Sequence, residues 1–258
     1  MGQAMAVAAL AITVLMLTTW VISIMVKNAS IVDIVWGFGF VVVAWTVRLT
    51  VDGDPVRQNL IVFLVTAWGL RLALHLARRN IGHGEDFRYV LMRRKHGSKF
   101  PMVSLVTVFG LQGVLMWTVS LPVQLGQADD GMTVGPIALM ATIIWAVGFL
   151  FESVGDVQLT KFKKDPANAG QVMDRGLWKF TRHPNYFGDA VQWWGIGLVA
   201  AEAGTAVIGL VGPVVMTILL TRVSGVPMLE HSMAKRRPGY ADYVKRTSAF
   251  FPRPPRAV

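Results

Sequence analysis

Apolar residues fall into seven blocks along the 258-residue chain, separated by short polar connections. They run about Met5 to Val26, Ile31 to Val51, Leu60 to Leu76, Val103 to Leu125, Pro136 to Phe151 with a polar extension, Tyr186 to Ala203, and Ala206 to Leu220. Each is near the roughly 20 residues a helix needs to cross hydrocarbon. The pattern therefore predicts an all-α integral membrane protein with seven transmembrane helices. Beyond the last block, Gly225 to Lys235 and Pro238 to Arg246 predict short cytoplasmic helices, interrupted at Arg237-Pro238 because proline has no amide to donate. The proline-rich end, Phe251 to Val258, predicts an extended tail. No polar stretch is long enough to fold alone and no repeat of fixed period occurs, so residues 1–258 read as one integral domain.

Charge assigns the faces. Lys27, the segment Arg78 to Lys99, the segment Lys161 to Arg182 and the tail from Arg222 all fall on one side of a seven-span arrangement. The alternate connections, Asp52-Gly-Asp54-Pro-Val-Arg57, Asp129-Asp130 and Glu202, are acidic or nearly neutral. By the positive-inside rule the N-terminus is expected outside and the C-terminus in the cytoplasm. The net charge of +10 sits in juxtamembrane loops, where topology and anionic membrane lipids account for it, and nucleic acid is not an expected partner. A hydrophobic content of 53% and a mean hydropathy of +0.50 exclude a water-soluble globule. The absence of cysteine removes disulfides, thiolate nucleophiles and cysteine-ligated metals. No metal-ligand spacing surrounds His75, so no metal is expected. The first block is too long for a signal-peptide core and lacks an early basic region, which keeps it as a span.

The stretch with the densest chemistry is Arg175-Gly-Leu-Trp-Lys-Phe-Thr-Arg-His-Pro-Asn-Tyr-Phe-Gly-Asp189, which leads directly into an apolar block. Cations, an imidazole, an amide, a phenol and a carboxylate in so short a span suit a phosphate-bearing or nucleotide-like ligand. Just before it, Glu152 and Asp156 stand one helical turn apart, where carboxylates can accept from ribose hydroxyls or pair with Arg175 or Arg182. Arg222, at the end of the last block, is a further phosphate partner or an ordinary positive-inside residue. In the second block Asp33 is costly when ionised and unpaired, which makes it a proton donor or a helix-to-helix hydrogen-bonding group. Trp36 follows one turn later, and Gly37 and Gly39 permit close approach of another helix. Trp68-Gly-Leu-Arg71 in the third block places a guanidinium that needs a partner inside the bundle, and Asp33 is the expected one. The loop Gly82-His-Gly-Glu85-Asp86-Phe-Arg88-Tyr89 carries both charges and an aromatic pair, more than a membrane anchor requires.

Gly176 to Asp189 resembles the signature of the steroid 5-alpha-reductase and sterol C-14/C-7 reductase superfamily. With Asp33-Ile-Val-Trp36, Trp68-Gly-Leu-Arg71 and Gly84-Glu-Asp-Phe-Arg-Tyr89, the whole chain is similar to a bacterial branch of membrane proteins of unknown function placed beside those reductases. That resemblance implies a bacterial inner-membrane location, a lipid-substrate half over about residues 1–125 and an NADPH-binding half over about 136–250. It puts cofactor contacts on Glu152, Asp156, Arg175, Arg182, His183, Asn185, Tyr186, Asp189 and Arg222. It also implies that a carboxylic acid of the second span and a tyrosine of the third polarise the substrate carbonyl. Asp33 lies near the first of these positions, whereas the third block offers Trp68, Arg71 and His75 and no tyrosine.

The Arg-His-Pro-Asn-Tyr run also resembles membrane methyltransferases of the isoprenylcysteine carboxyl and phospholipid type, which use S-adenosylmethionine. Glu230, Tyr240-Ala-Asp-Tyr243 and Phe251-Pro252 share that character. Cation count separates the two, because a pyrophosphate attracts arginine and lysine while a sulfonium is repelled by them. The expectation is an NADPH-dependent reductase of an activated carbon–carbon double bond in a lipid-soluble substrate, with Asp33, Arg71 and Trp68 as catalytic candidates. The alternative is the methyltransferase, and behind it a binding or transport protein that uses the nucleotide site for regulation.

Overall fold

The computed structural model describes residues 1–131, 134–223 and 225–256. Its main helices are α1 (Gly2–Met25), α2 (Ile31–Thr50), α3 (Pro55–Asn80), α4 (Phe87–Val119), α5 (Leu121–Gln127), α6 (Pro136–Lys164), α7 (Pro184–Ala201), α8 (Ala206–Val223), α9 (Val226–Arg236) and α10 (Tyr240–Arg246). α1, α2, α3, α4, α6 and α8 are long and apolar enough to cross a membrane. The sequence pattern counted a seventh span at Tyr186 to Ala203, and that segment is helical as α7. However, α7 is 18 residues long and carries Asn185, Asp189 and Gln192, so it falls outside the six. Among the described residues the β-type pairing is a single bridge between Thr181 and Ser248.

Helix starts follow local chemistry. Asp54 caps α3 by accepting from the Arg57 amide at 2.8 Å, with Pro55 in the first turn where its missing amide costs nothing. Asp86 caps α4 in the same way, accepting from the Arg88 amide at 2.9 Å. α4 therefore begins well before the predicted block at Val103 and absorbs the basic stretch Arg93 to Lys99. It ends at Val119 and not at Leu125, because Pro122 enforces a new start in α5. With 29 residues, α6 is about 44 Å long at 1.5 Å per residue, against a hydrocarbon thickness of roughly 30 Å. Glu152, Asp156 and the lysines at its end are therefore carried toward or past the membrane boundary. The break expected at Arg237-Pro238 separates α9 from α10, with Gly239 in the left-handed region at φ +78°. Of the predicted tail, Ala257 and Val258 lie outside the described residues.

Large apolar side chains on the helix surfaces, such as Leu10, Val14, Leu17 and Val21 on α1 and Leu139, Met140, Ile143 and Leu150 on α6, stay exposed. Exposure on that scale suits contact with membrane lipid.

The chain divides into two compact units, residues 1–138 with 196–212, and residues 139–195 with 213–258. In the first unit, α2 and α3 meet backbone to backbone: a methyl built on Gly37 would lie 2.7 Å from the Gly69 carbonyl oxygen, and one on Gly69 would lie 2.5 Å from that of Gly37. Only glycine permits this approach. Gly39 makes room for the Met116 thioether in the same way. At the end of α3 away from Asn80, fully buried Arg57 faces Asp129 at 3.7 Å, and Gln58 donates to the Val51 and Gln127 carbonyls at 2.9 Å each. In the second unit, glycines recur at a seven-residue interval on both partners, Gly148 and Gly155 on α6 and Gly188 and Gly195 on α7. Two turns of helix keep each pair on one face. A methyl on Gly188 would lie 2.4 Å from the Glu152 amide nitrogen, and one on Gly195 would lie 2.8 Å from the Ala141 carbonyl oxygen. That contact is what sets Glu152 opposite Gln192.

Candidate functional site

In the first unit the polar groups gather where α1 hands over to α2. The loop before α4 is latched to this junction: the Ala29 amide donates to Glu85 Oε1 at 2.7 Å, and the Asp86 amide donates to Ser30 Oγ at 2.6 Å. Gly82 and Gly84 both adopt positive φ, +84° and +79°, which lets the loop turn back. Glu85 is held from its other side by a two-pronged bond from Arg93, Nε to Oε2 at 3.0 Å and Nη2 to Oε1 at 2.8 Å. Burial pushes the Glu85 carboxyl up, but the Arg93 grip and the Ala29 amide prevail and hold it below its ordinary value. Asp86 is likewise held low, the bonds and charge of Arg88 outweighing its partial burial.

The result is to aim Arg88 and Tyr89 at Asp33. Arg88 Nη2 donates to Asp33 Oδ2 at 2.9 Å, and the Tyr89 hydroxyl donates to Asp33 Oδ1 at 2.8 Å. Both carboxylate oxygens are thus engaged, one by a cation and one by a phenol. The Asp33 side chain is 17% exposed and that of Arg88 39%, so the pair is reachable. Sequence reasoning expected Arg71 as the partner of Asp33, and this is corrected: the carboxylate lies with Arg88 and Tyr89, because the latched loop brings the start of α4 over the first turn of α2. Arg71 is half-buried on α3. Trp68 is fully buried, its ring 5.4 Å from Phe40, which in turn lies 5.2 Å from Trp36. This aromatic row begins one turn beyond Asp33. Tyr89 is the residue that sequence reasoning missed. Its signal was present in the mixed-charge loop, where two acids stood among basic residues without an anchoring purpose.

In the second unit the Arg-His-Pro run forms a different arrangement. Arg182 Nε donates to Glu230 Oε1 at 2.7 Å, and its Nη1 donates to the carbonyls of Val244 and Thr247. The His183 ring reaches the same Glu230 oxygen at 3.2 Å and stacks on Tyr186 with centroids 5.4 Å apart. Burial works to raise the Glu230 carboxyl, but the bonds from His183 and Arg182 win and bring it down to about 2. The C-terminal segment is pinned alongside: the Arg182 amide donates to the Ser248 carbonyl at 2.8 Å, and the Tyr243 hydroxyl to the Trp178 carbonyl. Burial pushes the Tyr243 phenol well up, and Tyr240 to about 12.

The facing surfaces of α6 and α7 hold the remaining candidates. Gln192 donates to Glu152 Oε2 at 2.6 Å, and Asn185 donates to Asp156 Oδ1 at 3.1 Å. Glu152, Asp156, Asp189, Arg182 and His183 are all buried. Arg175 and Arg222 are exposed, and the Arg175 guanidinium lies over the Phe162 ring at 6.0 Å. Thus the structure brings Arg182 and His183 together around Glu230, and Glu152, Asp156 and Asn185 together along the helix pair. The expected alternative pairing of Glu152 or Asp156 with Arg182 is replaced by the bond to Glu230. Gln192 and Thr247 were not anticipated.

Comparison with known proteins places the chain in context. The chain aligns with Uncharacterized protein C594.04c of Schizosaccharomyces pombe at 23% identity over 270 residues, 91% of this chain and 75% of that one. A shorter stretch of 69 residues is 39% identical to Probable O-methyltransferase ustE of Ustilaginoidea virens, covering 27% of this chain and 24% of that relative. The chain therefore spans about a quarter of that named relative. No solved structure matches. The family described as Protein of unknown function (DUF1295) matches residues 19–247, most of the chain, and the protein belongs to that family.

Proposed function

We propose that this protein is an NADPH-dependent membrane reductase acting on an activated double bond of a lipid-soluble substrate. The observation that carries the proposal is the Asp33–Tyr89 hydrogen bond at 2.8 Å. It supplies the acid and phenol that the resemblance to steroid reductases calls for, with the phenol coming from the start of α4 instead of α3. The Tyr89 hydroxyl turns from Asp33 to an acceptor carbonyl oxygen and gives it a proton as negative charge develops there. Arg88 adds a positive field at the same point. Asp33, partly exposed, orients both donors and relays to the phenolate a proton taken up from solvent.

The residues of the second unit fit the cofactor in kind. Asp156 with Asn185 and Glu152 with Gln192 pair acceptors with donors, as ribose hydroxyls and a carboxamide require. Exposed Arg175, Arg222 and the lysines ending α6 offer phosphate partners, while Arg182 acts as a clamp on the C-terminal segment. When bound, NADPH would supply the hydride.

Methyl transfer from S-adenosylmethionine is the second reading, and two observations favour it. Arg182, the central cation of the motif, is already committed to Glu230, and a relative matched over 69 residues is named Probable O-methyltransferase. One experiment separates the readings. The full chain in neutral nanodiscs is titrated with NADPH, followed by nicotinamide fluorescence, and with tritiated S-adenosylmethionine, followed by equilibrium dialysis. Saturable NADPH binding that weakens in Asn185→Ala supports the reductase. Binding of S-adenosylmethionine alone replaces it with the methyltransferase.

A further inference from the structure

The C-terminal segment encloses a small cationic cleft that neither cofactor reading uses. Two backbone bonds hold the tail, one to the segment before α7 and one to the end of α10: the Arg253 amide donates to the Phe180 carbonyl and the Arg256 amide to the Arg246 carbonyl, both at 2.9 Å. Between them lies a cavity of about 190 Å³, lined among others by Arg182, Lys245, Arg246, Arg253 and Arg256, with no acidic residue in its wall. Three of these cations are matched: Arg182 by Glu230 at 2.7 Å, Arg246 by Asp174 at 2.8 Å and Lys245 by Asp242 at 3.0 Å. For the guanidinium groups of Arg253 and Arg256, no hydrogen bond or ion pair is made among the described residues. Pro252, Pro254 and Pro255 stiffen the backbone that presents them, which lowers the ordering cost of a ligand held there. Both arginines also lie beyond Thr247, where the family match ends.

We propose that this cleft binds a phosphate group, gripped by Arg253 and Arg256 and presented either by a soluble phosphoanhydride or by an anionic lipid headgroup. Planar guanidinium forks suit phosphate oxygens, and two uncompensated cations side by side gain from a shared dianion. The volume sets the size of the ligand, since pockets for drug-sized molecules run from roughly 300 Å³ upward. The cleft therefore seats a phosphate or diphosphate moiety, and its lining includes none of Glu152, Asp156, Asn185 and Gln192 of the cofactor site proposed above.

The test uses the full chain and two probes. Inorganic diphosphate is titrated calorimetrically into the protein in neutral detergent, and native mass spectrometry counts retained phosphatidylglycerol against phosphatidylcholine. The expected result is saturable binding in one arm, weakened about tenfold or more in Arg253→Gln/Arg256→Gln and largely restored by Arg253→Lys/Arg256→Lys. Diphosphate binding assigns a soluble ligand, and selective retention of phosphatidylglycerol assigns a headgroup. If the glutamine variant does not fold, the salt dependence of wild-type binding and the single Arg256→Gln variant carry the test. Absence of binding in both arms overturns the proposal, as does binding that the glutamine substitutions leave unchanged.

Discussion

Each of the two units holds an arginine–carboxylate pair, and the pairs differ in what surrounds them. Arg88 meets Asp33 at 2.9 Å and Arg182 meets Glu230 at 2.7 Å. Arg182 is 8% exposed and spends its Nη1 on two carbonyls of the C-terminal segment, so its pair is a lock. Arg88 is 39% exposed, and its carboxylate partner also accepts a hydrogen bond from a phenol, so that pair can exchange partners. A count of cations along the chain does not reveal this difference. What decides whether an arginine is available to a ligand is how many of its donors the fold has already used.

The contrast can be broken by substitution. Arg182→Ala leaves a partly exposed carboxylate with His183 alone and strands two carbonyls, and is expected to cost about 2–3 kcal/mol, read as loss of folded protein in thermal unfolding. If Arg88→Ala costs as much, the distinction between lock and reachable pair fails. Tyr89→Phe keeps the ring and removes the proton, and is expected to lower turnover about 100-fold with an unchanged unfolding midpoint. Full activity in that variant removes the phenol from the mechanism. Acid gives a smaller effect. The Glu230 carboxyl lies at about 2 when folded against 4.5 when free, so its stabilising contribution is present above pH 4.5 and lost as pH falls toward 2. The expected loss is about 2 kcal/mol after allowance for partial exposure, and Glu230→Gln should flatten that part of the stability profile. Arg88→Ala itself is expected to cost under about 1 kcal/mol, as partly solvated pairs do.

Much of this architecture is written in hydropathy. Six spans follow from apolar length alone, and the break at Arg237-Pro238 follows from the missing proline amide. The block at Tyr186 to Ala203 was counted as a seventh span; it is helical as α7, but Asn185, Asp189 and Gln192 interrupt its apolar face and it is not among the six. The glycines at seven-residue spacing mark the α6–α7 contact, and the Gly37–Gly69 approach was foreshadowed only on the α2 side. The polar partnerships were harder to see. Tyr89 reaches Asp33 across 56 residues and Glu230 reaches Arg182 across 48, and neither separation follows a helical period. The first depends on where a loop folds back, which is fixed by the Ala29–Glu85 and Ser30–Asp86 bonds. The motif residues do lie together, Arg182 and His183 around Glu230 and Asn185 against Asp156, while which partner each one takes needed the geometry.

The most direct measurement of the central claim is isotope transfer. Membranes containing the full chain are incubated with NADPH deuterated at the nicotinamide C4 position and total lipid extract, and the lipids are analysed by mass spectrometry. The account predicts lipid products heavier by one deuterium and one ordinary hydrogen, formed with wild-type protein and strongly reduced with Tyr89→Phe. Lipids that acquire a methyl group from labelled S-adenosylmethionine and no deuterium would contradict it.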